Sequence, residues 1–72
     1  MDTKEDIAAK VRQIDELNRE IAEHWSMVQR HVTEKRVDEA ISLLNAYFRA
    51  RTKLVQVESS LEGTLKSYFS DK

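Results

Sequence analysis

Two histidines are the residues of this sequence best suited to metal chemistry. His24 and His31 are seven residues apart, and Glu20 precedes His24 by four. In a helix, that spacing places Glu20 and His24 on one face, where both side chains could reach the same metal ion. Di-metal helical bundles use Glu-x-x-His motifs on two helices instead, and the second half of this chain has no histidine. We therefore interpret these side chains as a solvated helix flank and predict no metal site.

Catalytic motifs are missing from the sequence. There is no cysteine, no Ser-His-Asp arrangement, no glycine-rich phosphate loop and no nucleophile elbow. We predict that the protein is not an enzyme, needs no cofactor and has no small-molecule substrate.

The stretch NAYFRARTK, residues 45–53, sets two aromatic residues beside three cations. On a helix, Arg49 and Lys53 are neighbours on the outer face, whereas Arg51 points to the opposite side with Tyr47 and Phe48. We expect both aromatic rings to be packed, so they could not stack on nucleotide bases. A net charge of −1 also gives little general attraction to polyanions.

An RNA-binding helical-hairpin dimer remains the alternative function. No acidic residue lies between Ala40 and Val57, and further cations gather near the middle of the chain. On this hypothesis the phosphate contacts are Arg30, Arg36, Arg49 and Lys53.

The composition indicates that these side chains are carried by helices. The chain has 72 residues, no proline and one glycine, Gly63, and 35% of its residues are charged. Such a composition is typical of helical or coiled-coil proteins. A chain this short buries only about 60% of its unfolded surface, so its core is marginal without further cover. Gly63 predicts a close helix contact, a bend or the end of a helix.

Two apolar stripes follow heptad spacing. The first is predicted to form a seam from Ile7, Val11, Ile14, Asn18, Ile21, Trp25, Val28 and Val32. The second is wider and consists of Val37, Ala40, Ile41, Leu44, Tyr47, Phe48, Leu54, Val55, Leu61, Leu65, Tyr68 and Phe69. Their phases differ by about 120° on a continuous helix, which favours a break between them.

We therefore predict an all-α fold, an antiparallel coiled-coil-like hairpin in a single domain, 1–72. Helix 1 is expected at about 3–33, the turn at about 33–37 and helix 2 at about 37–69. A two-helix hairpin has one seam, so the wide second stripe needs another surface. Homodimerisation into a four-helix bundle, or binding to another protein, would supply it.

Three polar residues interrupt the stripes: Asn18, Arg51 and Glu58. In a hairpin that turns near residue 35, Glu20 would face Arg51 and Arg12 would face Glu58. These pairs are either solvent-exposed bridges at the rim or buried bridges that fix the register of the helices. In the same register Trp25 faces Tyr47.

We predict a non-enzymatic protein–protein interaction module: an adaptor, a chaperone, an inhibitor or an assembly subunit. The predicted interface residues are Tyr47, Phe48, Arg51, Leu54, Val55, Tyr68 and Phe69. The predicted intramolecular core residues are Ile14, Ile21, Trp25, Val28, Leu44 and Leu61. The polar, acidic segment MDTKED differs from a signal or transit peptide, and no apolar run is long enough to cross a membrane. A cytoplasmic location without membrane binding is therefore expected.

Overall fold

The computed structural model describes residues 3–70, and within this range the chain forms two helices and no strand. Helix α1 spans Thr3–Thr33 and helix α2 spans Val37–Ser70. The helices pack along each other as a hairpin with overall dimensions of 55 × 16 × 14 Å. The predicted all-α hairpin is confirmed, and the helix bounds agree with those expected from the sequence to within one residue.

Local charges support both helices. Acidic residues occupy the first turn of each helix, and Arg30 and His31 occupy the last turn of α1. These placements complement the helix dipole. Ion pairs four residues apart also link turns along the helices, including Lys10 with Asp6 at 2.5 Å.

The turn at residues 34–36 is a Schellman motif. The Arg36 N–H donates to the carbonyl of His31 at 2.7 Å, and the Lys35 N–H donates to that of Val32 at 3.1 Å. Lys35 adopts a φ of 64°, a left-handed conformation that glycine usually supplies. The Arg36 carbonyl then accepts a hydrogen bond from the Ala40 N–H, which opens α2. The phase shift between the stripes therefore marks a true reversal of the chain.

The seam between the helices follows a 3-4 repeat of buried and half-buried side chains on each helix. On α1 these are Ile7, Lys10, Ile14, Leu17, Ile21, His24, Val28 and His31. On α2 they are Ala40, Leu43, Tyr47, Ala50, Leu54, Val57, Leu61, Thr64 and Tyr68. The most deeply buried members are Leu17, Val28, Ala40 and Ala50, and two of these are alanines, which allow the helices to approach closely.

The predicted seam of α1 was half right. The seam contains Ile7, Ile14, Ile21 and Val28 as predicted. Each of the other four seam positions is occupied by the residue before the predicted one. Leu17 is buried where Asn18 was expected, and His24 is half-buried where Trp25 was expected. The predicted core role of Trp25 is wrong, because 45% of its surface is exposed. The five aliphatic core predictions hold at least in part. Val28 is buried, and the other four are half-buried: Ile14, Ile21, Leu44 and Leu61.

Helix α2 continues through Gly63 to Ser70. A Cβ atom added at Gly63 would meet nothing within 4 Å, so the close-contact interpretation of this glycine is wrong. The continuation carries Leu65, Tyr68 and Phe69 onto the helix. Over the described residues, neither helix has the length and apolar composition needed to cross a bilayer.

Candidate interaction surface

Helix α1 exposes an apolar row beside the seam. Val11, Trp25 and Val32 are separated by multiples of seven residues and therefore share one face of the helix. Their exposed fractions are 51%, 45% and 56%. Asn18 occupies the remaining place in the row and is also exposed. These are the side chains expected in the seam, and they lie instead along its edge.

Helix α2 carries two apolar rows next to its seam positions. The outer row contains Ile41, Phe48, Val55, Glu62 and Phe69, and its four apolar members are each more than half exposed. The inner row lies between the outer row and the seam. It contains Val37, Leu44, Arg51, Glu58 and Leu65, of which the two leucines are half-buried and the others exposed.

Aromatic contacts place these rows on the same side of the hairpin. The ring centroids of Trp25 and Tyr47 are 5.3 Å apart, as the predicted register required. The Phe48 ring meets the Tyr47 ring edge-on at 5.2 Å. Arg51 lies 5.7 Å from the Tyr47 ring centroid, and its guanidinium donates to the Tyr47 hydroxyl at 3.0 Å. Tyr47 thus joins α1 to the exposed rows of α2.

We call this side of the molecule the apolar flank. Its apolar members are Val11, Trp25, Val32, Val37, Ile41, Leu44, Phe48, Val55, Leu65 and Phe69. The charged or amide side chains within it are Asn18, Arg51, Glu58 and Glu62, and all four are exposed.

The opposite side of the seam is polar. Gln13 and Glu20 of α1 and Lys53, Ser60 and Ser67 of α2 have the heptad positions that mirror the apolar flank. All five are exposed. Met27 is the one large apolar side chain in the corresponding row of the described part of α1. The hairpin therefore presents two chemically different sides.

The predicted cross-helix salt bridges do not form among the described residues. Glu20 approaches His24 on its own helix at 3.6 Å. Arg51 bonds the neutral Tyr47 hydroxyl, and Glu58 makes no ion pair within residues 3–70. Neither a buried register-setting pair nor a rim bridge accounts for Arg51 and Glu58 inside one chain.

The two histidines belong to the seam and not to a solvated flank, which corrects the sequence interpretation. Both are half-buried, and the Nδ1 atom of each is buried without a hydrogen-bond partner among the described residues. Between residues 3 and 70, no three His, Asp or Glu side chains are grouped so that they could hold a metal ion. The histidines are therefore polar residues in a seam position, where apolar residues pack better.

The predicted interface residues divide into two groups. Phe48, Arg51, Val55 and Phe69 lie on the apolar flank and are exposed. The other three occupy seam positions and are half-buried: Tyr47, Leu54 and Tyr68. Tyr68 packs edge-on against Phe69 with centroids 5.1 Å apart, so the pair at the open end of the hairpin is split between seam and flank.

Sequence reasoning missed the contribution of α1 to this surface. Assigning Leu17 to the seam in place of Asn18 moves the neighbouring row out of the seam and onto the exposed flank. That row contains Val11, Trp25 and Val32. The signal was present, because an apolar Leu17 stands directly before a polar Asn18. It was outweighed by the stronger apolar character of the row that contains Trp25.

The four basic residues of the nucleic-acid hypothesis do not form one patch. Arg49 and Lys53 line a shallow groove of about 420 Å³ on the back of α2, together with Phe48, Thr52 and Gln56. In contrast, Arg30 and Arg36 lie at the turn end of the hairpin, where the Arg36 guanidinium pairs with the Glu34 carboxylate.

Comparison of the chain with protein-family models, with curated proteins and with solved structures gave no significant match.

Proposed function

We propose that this protein is a non-enzymatic interaction module that binds a protein partner through its apolar flank. The role belongs to the class of adaptors, chaperones, inhibitors and assembly subunits. The observation that carries the proposal is the placement of exposed aromatic and aliphatic side chains beside a seam that contains two histidines and a lysine. A hairpin adapted to stand alone would place those residue types the other way round.

The exposed area supports the proposal. The chain exposes 5611 Å². A compact protein of 8.4 kDa is expected to expose about 4,600 Å². The surplus of about 1,000 Å² arises from the elongated shape of the hairpin, 55 × 16 × 14 Å, which leaves the apolar flank open to water. A standard protein interface covers roughly 800 Å² of each partner, so a partner on the flank could remove much of its apolar surface from water.

The composition of the flank is suited to binding. Aromatic residues are enriched at the energetic centres of interfaces, and charged residues are depleted there. The rings of Trp25 and Phe48 each contact the Tyr47 ring, so the three residues form one aromatic cluster. Exposed apolar surfaces of this kind mark interaction sites in soluble proteins. We expect this aromatic cluster to dominate the binding energy.

A substitution at Phe48 tests the proposal. We expect Phe48→Glu to weaken self-association or partner retention by at least about tenfold, because it buries a charge in an apolar contact. Ser60→Glu is the matched control, since it adds the same charge to the polar side of α2. Sedimentation velocity measures self-association, and affinity capture from the native source measures partner retention. Equal behaviour of wild type and Phe48→Glu in both measurements would exclude the apolar flank as a binding surface.

Nucleic-acid binding is the second candidate, favoured by one observation. The Phe48 ring was expected to be packed, but Phe48 is 59% exposed. It shares a groove with Arg49 and Lys53. An exposed ring beside two cations can stack on a base while the cations contact phosphate. The test is a salt-dependent fluorescence titration with single-stranded RNA. Binding that is lost in the Arg49→Ala/Lys53→Ala variant and retained in Arg30→Ala would support this function.

A further inference from the structure

We propose that a second copy of this chain covers the apolar flank. In this arrangement the two α2 helices pack antiparallel across a two-fold axis near Val55. The inference rests on the proposed function, because it names the partner of the same surface and the register in which that partner binds.

The inner row of α2 is self-complementary when it is reversed. Leu44, Arg51, Glu58 and Leu65 follow one another at intervals of seven residues. Antiparallel packing places Leu44 against Leu65 of the second copy and Arg51 against its Glu58. A two-fold axis then repeats each contact with the roles exchanged, as a closed symmetric interface requires.

The outer row fits the same axis. A two-fold axis at Val55 places Val55 against Val55 of the second copy and Ile41 against Phe69 of the second copy. The same axis places Phe48 opposite Glu62 of the second copy, whose carboxylate is paired with Lys66 of its own helix. The apolar residues near the start of α2 thus cover those near its end, where few residues of α1 remain to pack against them.

The charges distinguish antiparallel from parallel packing. In a parallel dimer with the same contact rows, Arg51 would meet Arg51 and Glu58 would meet Glu58, and like charges in an interface are unfavourable. Within the described residues Arg51 bonds a neutral hydroxyl and Glu58 forms no ion pair, so both remain available to an external partner. Antiparallel packing satisfies both charges and parallel packing satisfies neither.

The area and shape agree with this partner. A dimer interface of standard size would cover roughly 800 Å² of the 5611 Å² that each copy exposes. Two hairpins packed on these faces form a four-helix bundle, in which Trp25 and the neighbouring row of α1 widen the contact. The flank and its charges run along the length of α2, as a helix-on-helix contact needs.

A charge exchange tests the register. We expect Arg51→Glu and Glu58→Arg each to raise the dimer Kd by at least about tenfold, and the double variant to restore it to within about threefold of wild type. Arg49→Glu is the control, because it reverses the same charge on the back of α2 and should leave the Kd nearly unchanged. Sedimentation equilibrium measures the Kd, and circular dichroism checks the helical content. Weakened single variants without recovery in the double variant would overturn the register.

Single cysteines test the direction of packing, since the chain has no cysteine of its own. A disulfide forms only where the two Cα atoms come within about 7 Å of each other. Val55→Cys should therefore cross-link with itself under mild oxidation, whereas Ile41→Cys should cross-link only when mixed with Phe69→Cys. Self-linking of Ile41→Cys at the same rate as Val55→Cys would show parallel packing and overturn the inference.

The two proposals fail in different ways. Wild-type protein that sediments as a monomer at about 100 µM, a concentration at which a standard interface is populated, would overturn the second copy as the partner. If that monomer retained another protein through Phe48, the proposed function would stand. If it retained none, both proposals would fall.

Discussion

In this hairpin the seam between the helices contains polar side chains, whereas the apolar flank exposes large apolar ones, which is the reverse of the usual arrangement. The seam contains Lys10, His24 and His31, each half-buried between the helices. The apolar flank exposes Trp25 and Phe48, with 45% and 59% of their surfaces accessible. In a self-sufficient hairpin the larger apolar residues would fill the seam, because burying them gives about 1.5–3 kcal/mol each. The seam holds the hairpin together, and the exposed flank is the reason that we propose a second contact there.

The largest change in stability is expected for a substitution in the seam, whereas a substitution on the flank should have little effect on the stability of one chain. Leu17 is 6% exposed, and Leu17→Ala should lower the free energy of unfolding by about 2–4 kcal/mol because it leaves a cavity in the seam. Val55→Ala should change it by no more than about 0.5 kcal/mol at concentrations below self-association, since Val55 is exposed in one chain. Urea unfolding followed by far-UV circular dichroism measures both. Equal losses in the two variants would break the distinction between seam and flank.

Replacing the two histidines of the seam with leucine should stabilise the hairpin. His24→Leu and His31→Leu each remove a buried Nδ1 atom that lacks a hydrogen-bond partner within residues 3–70. We expect each to raise the free energy of unfolding by about 1–2 kcal/mol. Thermal unfolding at fixed protein concentration is the measurement, with His24→Gln as a polar control that should not stabilise. A loss of stability with leucine would show that the imidazoles contribute contacts that an aliphatic side chain cannot replace.

The sequence predicted the hairpin well because the relevant signals are local. The phase shift after Val32 located the turn, and the acidic residues of the first turns matched the starts of both helices. The register was also predictable, since Trp25 contacts Tyr47 as expected.

The site was less predictable because seam and flank differ by only one residue in a heptad. Both Asn18 and Leu17 fit a 3-4 repeat on α1, and a single sequence cannot show which row meets the other helix. In the hairpin the row of Leu17 meets α2 and Leu17 is 6% exposed, whereas Asn18 and Trp25 lie at the edge of the seam. This tertiary preference exceeded the apolar character of Trp25, which then remained exposed at the edge.

A smaller effect is expected at Gly63, which determines how well α2 supports the far end of the flank. Gly63→Ala should raise the free energy of unfolding by about 1 kcal/mol, because alanine favours a helix and its Cβ would meet nothing within 4 Å. The stiffer helix should also hold Leu65 and Phe69 in place and slightly strengthen the self-association that we propose. Urea unfolding and sedimentation equilibrium measure the two effects. Destabilisation would indicate that the end of α2 needs freedom at this position.

The smallest expected effect concerns the turn that sets the seam and the flank in register. Lys35 has a φ of 64°, and this conformation is unfavourable by about 1–2 kcal/mol for residues other than glycine. Lys35→Gly removes that cost but gives the unfolded chain more freedom, so we expect a net gain in the free energy of unfolding of about 0.5 kcal/mol. Glu34→Gly is the control, because Glu34 has no positive φ and glycine there should only destabilise. If both glycine variants destabilised equally, the Schellman turn would not be the preferred connection, and the alignment of Trp25 with Tyr47 would need another cause.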